Sequence, residues 1–91
     1  MQQQSEKILQ IKKSLGKVFS KLRTQKGKIS INQLAFEYDI DKGTLSKLER
    51  GLYDCRISTA IKLAQANGIK FSQFAKLLED ELGQNFSLVD E

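Results

Sequence analysis

The apolar positions fall into short blocks with helical spacing. From about Glu6 to Gln25, Ile8, Ile11, Leu15, Val18, Phe19 and Leu22 share one arc when the chain is wound at about 100° per residue, and Lys13, Lys17 and Lys21 gather on the opposite side. This predicts a long amphipathic helix, with Ser5 as its N-cap and Gly27 as its stop. Gly16 sits in its interior, where glycine costs about 1 kcal/mol relative to alanine.

Ser30-Ile31-Asn32-Gln33 has the form of a capping box and predicts a second, short helix reaching about Tyr38. Leu34, Ala35 and Tyr38 supply its inner face. Asp39 follows, a residue that tolerates the left-handed conformation better than most. A third helix runs from Asp41, its cap, to Arg50, with Leu45 and Leu48 as the apolar seam and Gly51 as the stop. Lys42, Gly43, Lys47 and Arg50 face outward from that seam, with Ser46 beside them. After a loop over Leu52–Arg56, a fourth helix is predicted from Ile57 to Asn67 on the spacing of Ile57, Ala60, Ile61 and Ala64, ended by Gly68. A fifth covers Phe71 to Leu82. No segment alternates with the period of a strand, and there is no internal repeat. The expected organisation is a disordered start over residues 1–5, one domain over 6–82 and a tail over 83–91.

Composition narrows the chemistry. The chain has 91 residues, room for one modest core. It has no proline, which is permissive for an all-helical fold. It has no histidine, so the commonest general base and metal ligand are both missing. The single cysteine, Cys55, can form neither an internal disulfide nor a cysteine-cluster metal site, and is read as a small apolar filler. The carboxylates Glu79, Asp80 and Glu81 are consecutive, so a helix splays them apart and they do not converge on a metal. No catalytic residue, metal or cofactor is expected. One thiol, no secretory leader and no long apolar run fit a cytoplasmic protein.

Charge is distributed unevenly. Residues 1–50 hold eleven basic and five acidic side chains, and residues 51–91 hold four and six, so a net charge of +4 hides a basic front and a slightly acidic back. Between Lys7 and Lys28 there are eight basic residues and no acidic one. Such a front suits an anionic partner, with nucleic acid the leading candidate, although a solvated helix face has the same signature.

Two short helices joined by a tight turn around Asp39–Asp41 have the arithmetic of a helix-turn-helix. Here the sequence resembles a known family. Leu34-Ala35 and the run Ile40-Asp41-Lys42-Gly43-Thr44-Leu45-Ser46-Lys47-Leu48-Glu49-Arg50-Gly51 look like the Cro/lambda-repressor-like helix-turn-helix regulators, also called the xenobiotic-response-element family. The flanks, Leu22-Arg23 before Lys26-Gly27 and Ile57 through Gly68-Ile69, agree. The resemblance covers about residues 12–82 and implies an all-α, five-helix domain that binds double-stranded DNA with its third helix in the major groove.

It also implies roles by position. Lys42, Gly43, Ser46 and Lys47 would face base edges, with Gly43 leaving one reading position blank. Lys28, Ser30, Thr44, Arg50 and Tyr53 would contact phosphates. Arg23 and Glu49 would form a scaffold ion pair between the first and third helices. Four departures stand out: Ile31 where a glutamine is common, a connection around Gly27–Ser30 that is one residue longer, Asp39 where glycine is usual, and Cys55-Arg56 in place of Pro-Ser.

The apolar C-terminal region, Phe71, Phe74, Leu77, Leu78, Leu82 and Phe86, exceeds what so small a core is expected to bury. It predicts a homodimer with a two-fold axis. The leading expectation is a transcriptional regulator, in the repressor mould. The alternative is an antitoxin or adaptor module of the same fold whose main partner is another protein.

Overall fold

The computed structural model describes residues 2–27 and 29–89; within these, side chains are described for 6–25 and 29–89. It is built of helices: α1 (Gln2–Lys21), continued by a π-helical turn (Leu22–Gly27), then α2 (Ile31–Glu37), α3 (Lys42–Glu49), α4 (Ile57–Ala66) and α5 (Phe71–Leu82). No strand occurs among the described residues.

α1 is the backbone of the domain. It packs along α5 on one flank and across α3 on the other, while α2 packs on α3 and α4 on α5. The core is one contiguous cluster that takes Leu15, Val18, Phe19 and Leu22 from the first helix, Leu34 and Ala35 from α2, and Leu45 and Leu48 from α3. Ala60, Leu63, Ala64, Ile69 and Phe74 complete it from the C-terminal half. At its centre the rings of Phe19 and Phe74 stack, with centroids 4.7 Å apart and planes 11° from parallel.

The caps are local chemistry. Ser30 Oγ accepts from the Gln33 N–H at 3.1 Å, which makes half of the expected capping box. The other half is not made: the Gln33 side chain runs forward along α2, where its amide nitrogen donates to Glu37 Oε1 at 3.2 Å. Asp39 takes φ +54°, the left-handed turn residue that the sequence suggests. α5 carries a cap that the sequence reading missed: the Lys70 N–H donates to Gln73 Oε1 at 2.8 Å.

Several expectations are corrected. α1 begins at Gln2, so Ser5 lies inside the helix and does not cap it. Gly27 does not stop an α-helix but closes the π turn. Tyr38 is exposed and not part of the inner face of α2. Ile57, the first residue of α4, is 65% exposed, and Leu63 is the large side chain that this helix buries. Phe74 is only 2% exposed and fills the chain's own core, so it is not available to an interface. Phe71, Leu78, Leu82 and Phe86 are half-buried, Phe71 and Leu78 by packing on that core, and Leu77 is left 41% exposed.

Candidate nucleic-acid interface

α3 is pinned from behind and free in front. Leu45 and Leu48 are fully buried beneath it, while Lys42, Gly43, Lys47 and Arg50 are exposed. Its first turn is closed by Asp41, whose Oδ2 accepts from the Thr44 N–H at 2.9 Å and from the Thr44 hydroxyl at 3.1 Å. The Thr44 hydrogen bonds, backbone first, hold the Asp41 carboxyl below its ordinary range. The helix therefore presents an ionised acid at its N-terminus, where the helix dipole favours it.

Behind α3, Arg23 grips Glu49. Arg23 Nε donates to Oε2 at 2.7 Å and Nη2 to Oε1 at 2.9 Å, the parallel two-point geometry of a guanidinium on a carboxylate. The third nitrogen, Nη1, donates to the Ile29 carbonyl at 2.9 Å. Both side chains are largely buried, and the hydrogen bonds to Glu49 raise the hold of Arg23 on its proton. One side chain thus ties the end of the first helix, the connection before α2 and the last turn of α3.

A second fixture escaped the sequence reading. Gly16 faces the C-terminal end of α3 so closely that a Cβ there would stand 2.7 Å from the Glu49 carbonyl oxygen, and 2.9 Å from both the Leu48 carbonyl oxygen and the Gly51 nitrogen. The glycine that weakens α1 as an isolated helix is what lets α3 cross it. Gly51 answers from the other side, at φ +79°, where a Cβ would meet Lys13 Cα at 3.1 Å. A glycine inside an amphipathic helix is the only signal the sequence carries for this contact.

The remaining candidates divide. Ser30, exposed at the start of α2, uses its oxygen as an acceptor and keeps its proton for a partner. The Thr44 hydroxyl proton is committed to Asp41, so Thr44 must break that bond to donate to a phosphate. Arg50 leans back on its own helix, with Nε donating to the Ser46 carbonyl at 3.4 Å, and remains exposed. Ser46 is half-buried. Gly43 stands beside the cap, since a Cβ there would come within 3.2 Å of Asp41 Oδ2. The Lys47 ammonium lies over the ring of Tyr53, 5.6 Å from its centroid. Lys28 lies outside the described residues.

The lysines of α1 do not form one unbroken basic face. Lys17 and Lys21 both reach Glu81 on α5, at 3.6 and 3.9 Å. Ile31, one of the departures, packs half-buried against the core.

A helix-turn-helix family model, of the Cro/C1 type, matches residues 20–74, more than half of the chain. The chain belongs to this helix-turn-helix family. It therefore carries a DNA-binding helix-turn-helix domain, formed by α2, the turn at Asp39 and α3, in a Cro/lambda-repressor-like regulator. Among curated proteins none matches the chain. The matched residues hold the Arg23–Glu49 pair, the Asp41 cap and the exposed face of α3, and they leave out Gly16. Among the described residues no helix is long and apolar enough to cross a membrane, and no group of acidic or cysteine side chains is placed to hold a metal ion.

Proposed function

We propose that this helix-turn-helix protein is a sequence-specific regulator of transcription that lays α3 in the major groove of duplex DNA, with Lys42 and Lys47 reading base edges and repression by promoter occlusion as the outcome. The observation that carries the reading is α3 itself: capped by Asp41, locked from behind by Arg23–Glu49, and exposing Lys42 and Lys47 to solvent, with Arg50 exposed just past its end. Lysine donates to guanine O6 and N7, and Gly43 adds no side chain that would block the approach. Arg50, Ser30 and Lys28 are assigned to phosphates. Pairing of two copies through the open edge of α5, where Leu77 is exposed and Leu78, Leu82 and Phe86 are half-covered, would set two recognition helices one DNA turn apart, about 34 Å.

Selection of bound duplexes from a random pool tests this. A recovered motif whose preference at single base pairs relaxes in Lys42→Ala or Lys47→Ala supports it. So does an affinity that falls steeply between low and physiological salt, because each neutralised phosphate adds about 0.9 to the logarithmic slope. No motif, or binding that ignores salt, refutes it. Light scattering at tens of micromolar, with and without DNA, decides the pairing.

One observation favours the adaptor alternative. Phe36, on the solvent side of α2, is 88% exposed and offers an apolar ring to a partner. A stoichiometric protein partner lost in Phe36→Ala, together with no selected DNA motif, would decide for that reading.

A further inference from the structure

Lys47 is a flexible reader on an exposed helix, and the structure gives it a support. Its ammonium lies 5.6 Å from the centroid of the Tyr53 ring, inside the distance at which the negative face of an aromatic ring attracts a cation. The ring does not hang on a loose loop. Gly51 N–H donates to the Leu48 carbonyl at 3.1 Å, and Leu52 N–H donates to the carbonyl of Lys47 itself at 2.9 Å. The segment carrying Tyr53 is thereby anchored to the very residue whose side chain it covers. Tyr53 also lines a shallow groove with Thr44 and Leu48 of α3 and with Cys55, Arg56 and Thr59.

A lysine stem has many rotamers, and ordering it on binding offsets part of what its hydrogen bonds contribute. A carboxylate partner would order the stem but would neutralise the charge and compete with the DNA acceptor. A ring face orders it while leaving all three N–H donors available. The resemblance gives Tyr53 a different part, that of a phosphate contact through its hydroxyl. The two roles use different atoms: the phosphate contact needs the O–H, whereas support of Lys47 needs only the ring.

Resting on the DNA reading above, we infer that Tyr53 is a positioning residue for specificity, holding Lys47 in the orientation in which it reads its base pair. The test uses the full chain and four variants. Tyr53→Phe and Tyr53→Trp keep a ring, Tyr53→Leu removes it, and Lys47→Ala marks the base pair concerned. Binding to the selected duplex and to its single-base variants is expected to show wild-type preference in Y53F and Y53W. Y53L is expected to lose about two- to fivefold of the preference at the Lys47 position alone, the worth of an exposed cation–ring contact. An unchanged preference at the Lys47 position in Y53L, or a loss of that preference in Y53F, which keeps the ring, would overturn the inference. In the DNA-free protein, the Lys47 side-chain methylene protons should be ring-shifted upfield in wild type and Y53F, and unshifted in Y53L. Absence of that shift in wild type overturns the contact whatever the DNA results. A wild-type protein that selects no motif, but shows the shift, fails the DNA reading and with it the specificity role, while leaving the contact standing.

Discussion

Gly16 and Glu49 are separated by half the domain in sequence, yet a methyl group on the first would stand 2.7 Å from the carbonyl oxygen of the second. Gly16→Ala should therefore reverse the usual sign of a helix substitution. Alanine gains about 1 kcal/mol of helix propensity, but its Cβ meets only backbone, which cannot swing aside. We expect a net loss of about 1–3 kcal/mol, the common cost of overpacking, read as a lower urea midpoint. A raised midpoint would show that α3 shifts at little cost.

Arg23→Ala strands Glu49 and removes the guanidinium donor from the Ile29 carbonyl. Breaking one side of a largely buried pair should cost about 3 kcal/mol. Replacing both partners, Arg23→Met with Glu49→Leu, should recover most of that stability, because no uncompensated charge is left. Denaturant unfolding of the two variants checks the order. Loss of DNA binding by Arg23→Ala at full stability would mean that Arg23 serves the ligand and not the scaffold.

Asp39 occupies the left-handed region at φ +54°. Asp39→Gly relieves a strain of about 1 kcal/mol, partly offset by the greater freedom of glycine in the unfolded chain. A net gain of up to about 1 kcal/mol is expected in thermal unfolding. The same change removes a negative charge beside α3, so DNA affinity at low salt should rise. A variant that melts earlier than wild type would contradict the strain argument.

Cys55 is half-buried, and desolvation, with Asp54 adding a smaller push, raises its thiol to about 11 from an ordinary 9.0. The folded chain holds that proton while the unfolded chain releases it. Stability from this group is whole below about pH 9 and is lost as pH rises toward 11. The measurement is a difference against a variant without the thiol. The urea midpoint of wild type should fall more steeply between pH 9 and 11 than that of Cys55→Ala. Equal slopes would place the thiol in water. At neutral pH the group stays protonated and should alkylate slowly.

What could be read from the sequence was mostly short-range. Ser30 and Asp41 reach backbone N–H groups three residues on, and Asp39, Gly51 and Gly68 adopt positive φ where the chain must turn, so each signal lies beside its effect. The exposed face of α3 followed from the period of Leu45 and Leu48. What stayed hidden depends on partners far along the chain. The role of Gly16 needs the end of α3, the pairing of Lys17 and Lys21 needs Glu81, which they share, and the burial of Phe74 needs Phe19. Ile57 kept the helical spacing and still points outward, because it opens α4 before that helix reaches the core. The Arg23–Glu49 pairing came from family resemblance, since nothing local connects the two.

Phe19 lies just outside the segment that defines the family, and Phe74 is its last residue, so the stacked rings bridge its two borders. A fragment cut to residues 20–74 would keep both helices of the DNA-binding motif while losing Leu15, Val18 and Phe19 from the core, and the glycine on which α3 crosses. The unit of homology is thus smaller than the packed core. Far-ultraviolet circular dichroism of the fragment should show a largely unstructured chain, and a cooperative helical melt would show that recognition and folding have the same boundaries after all.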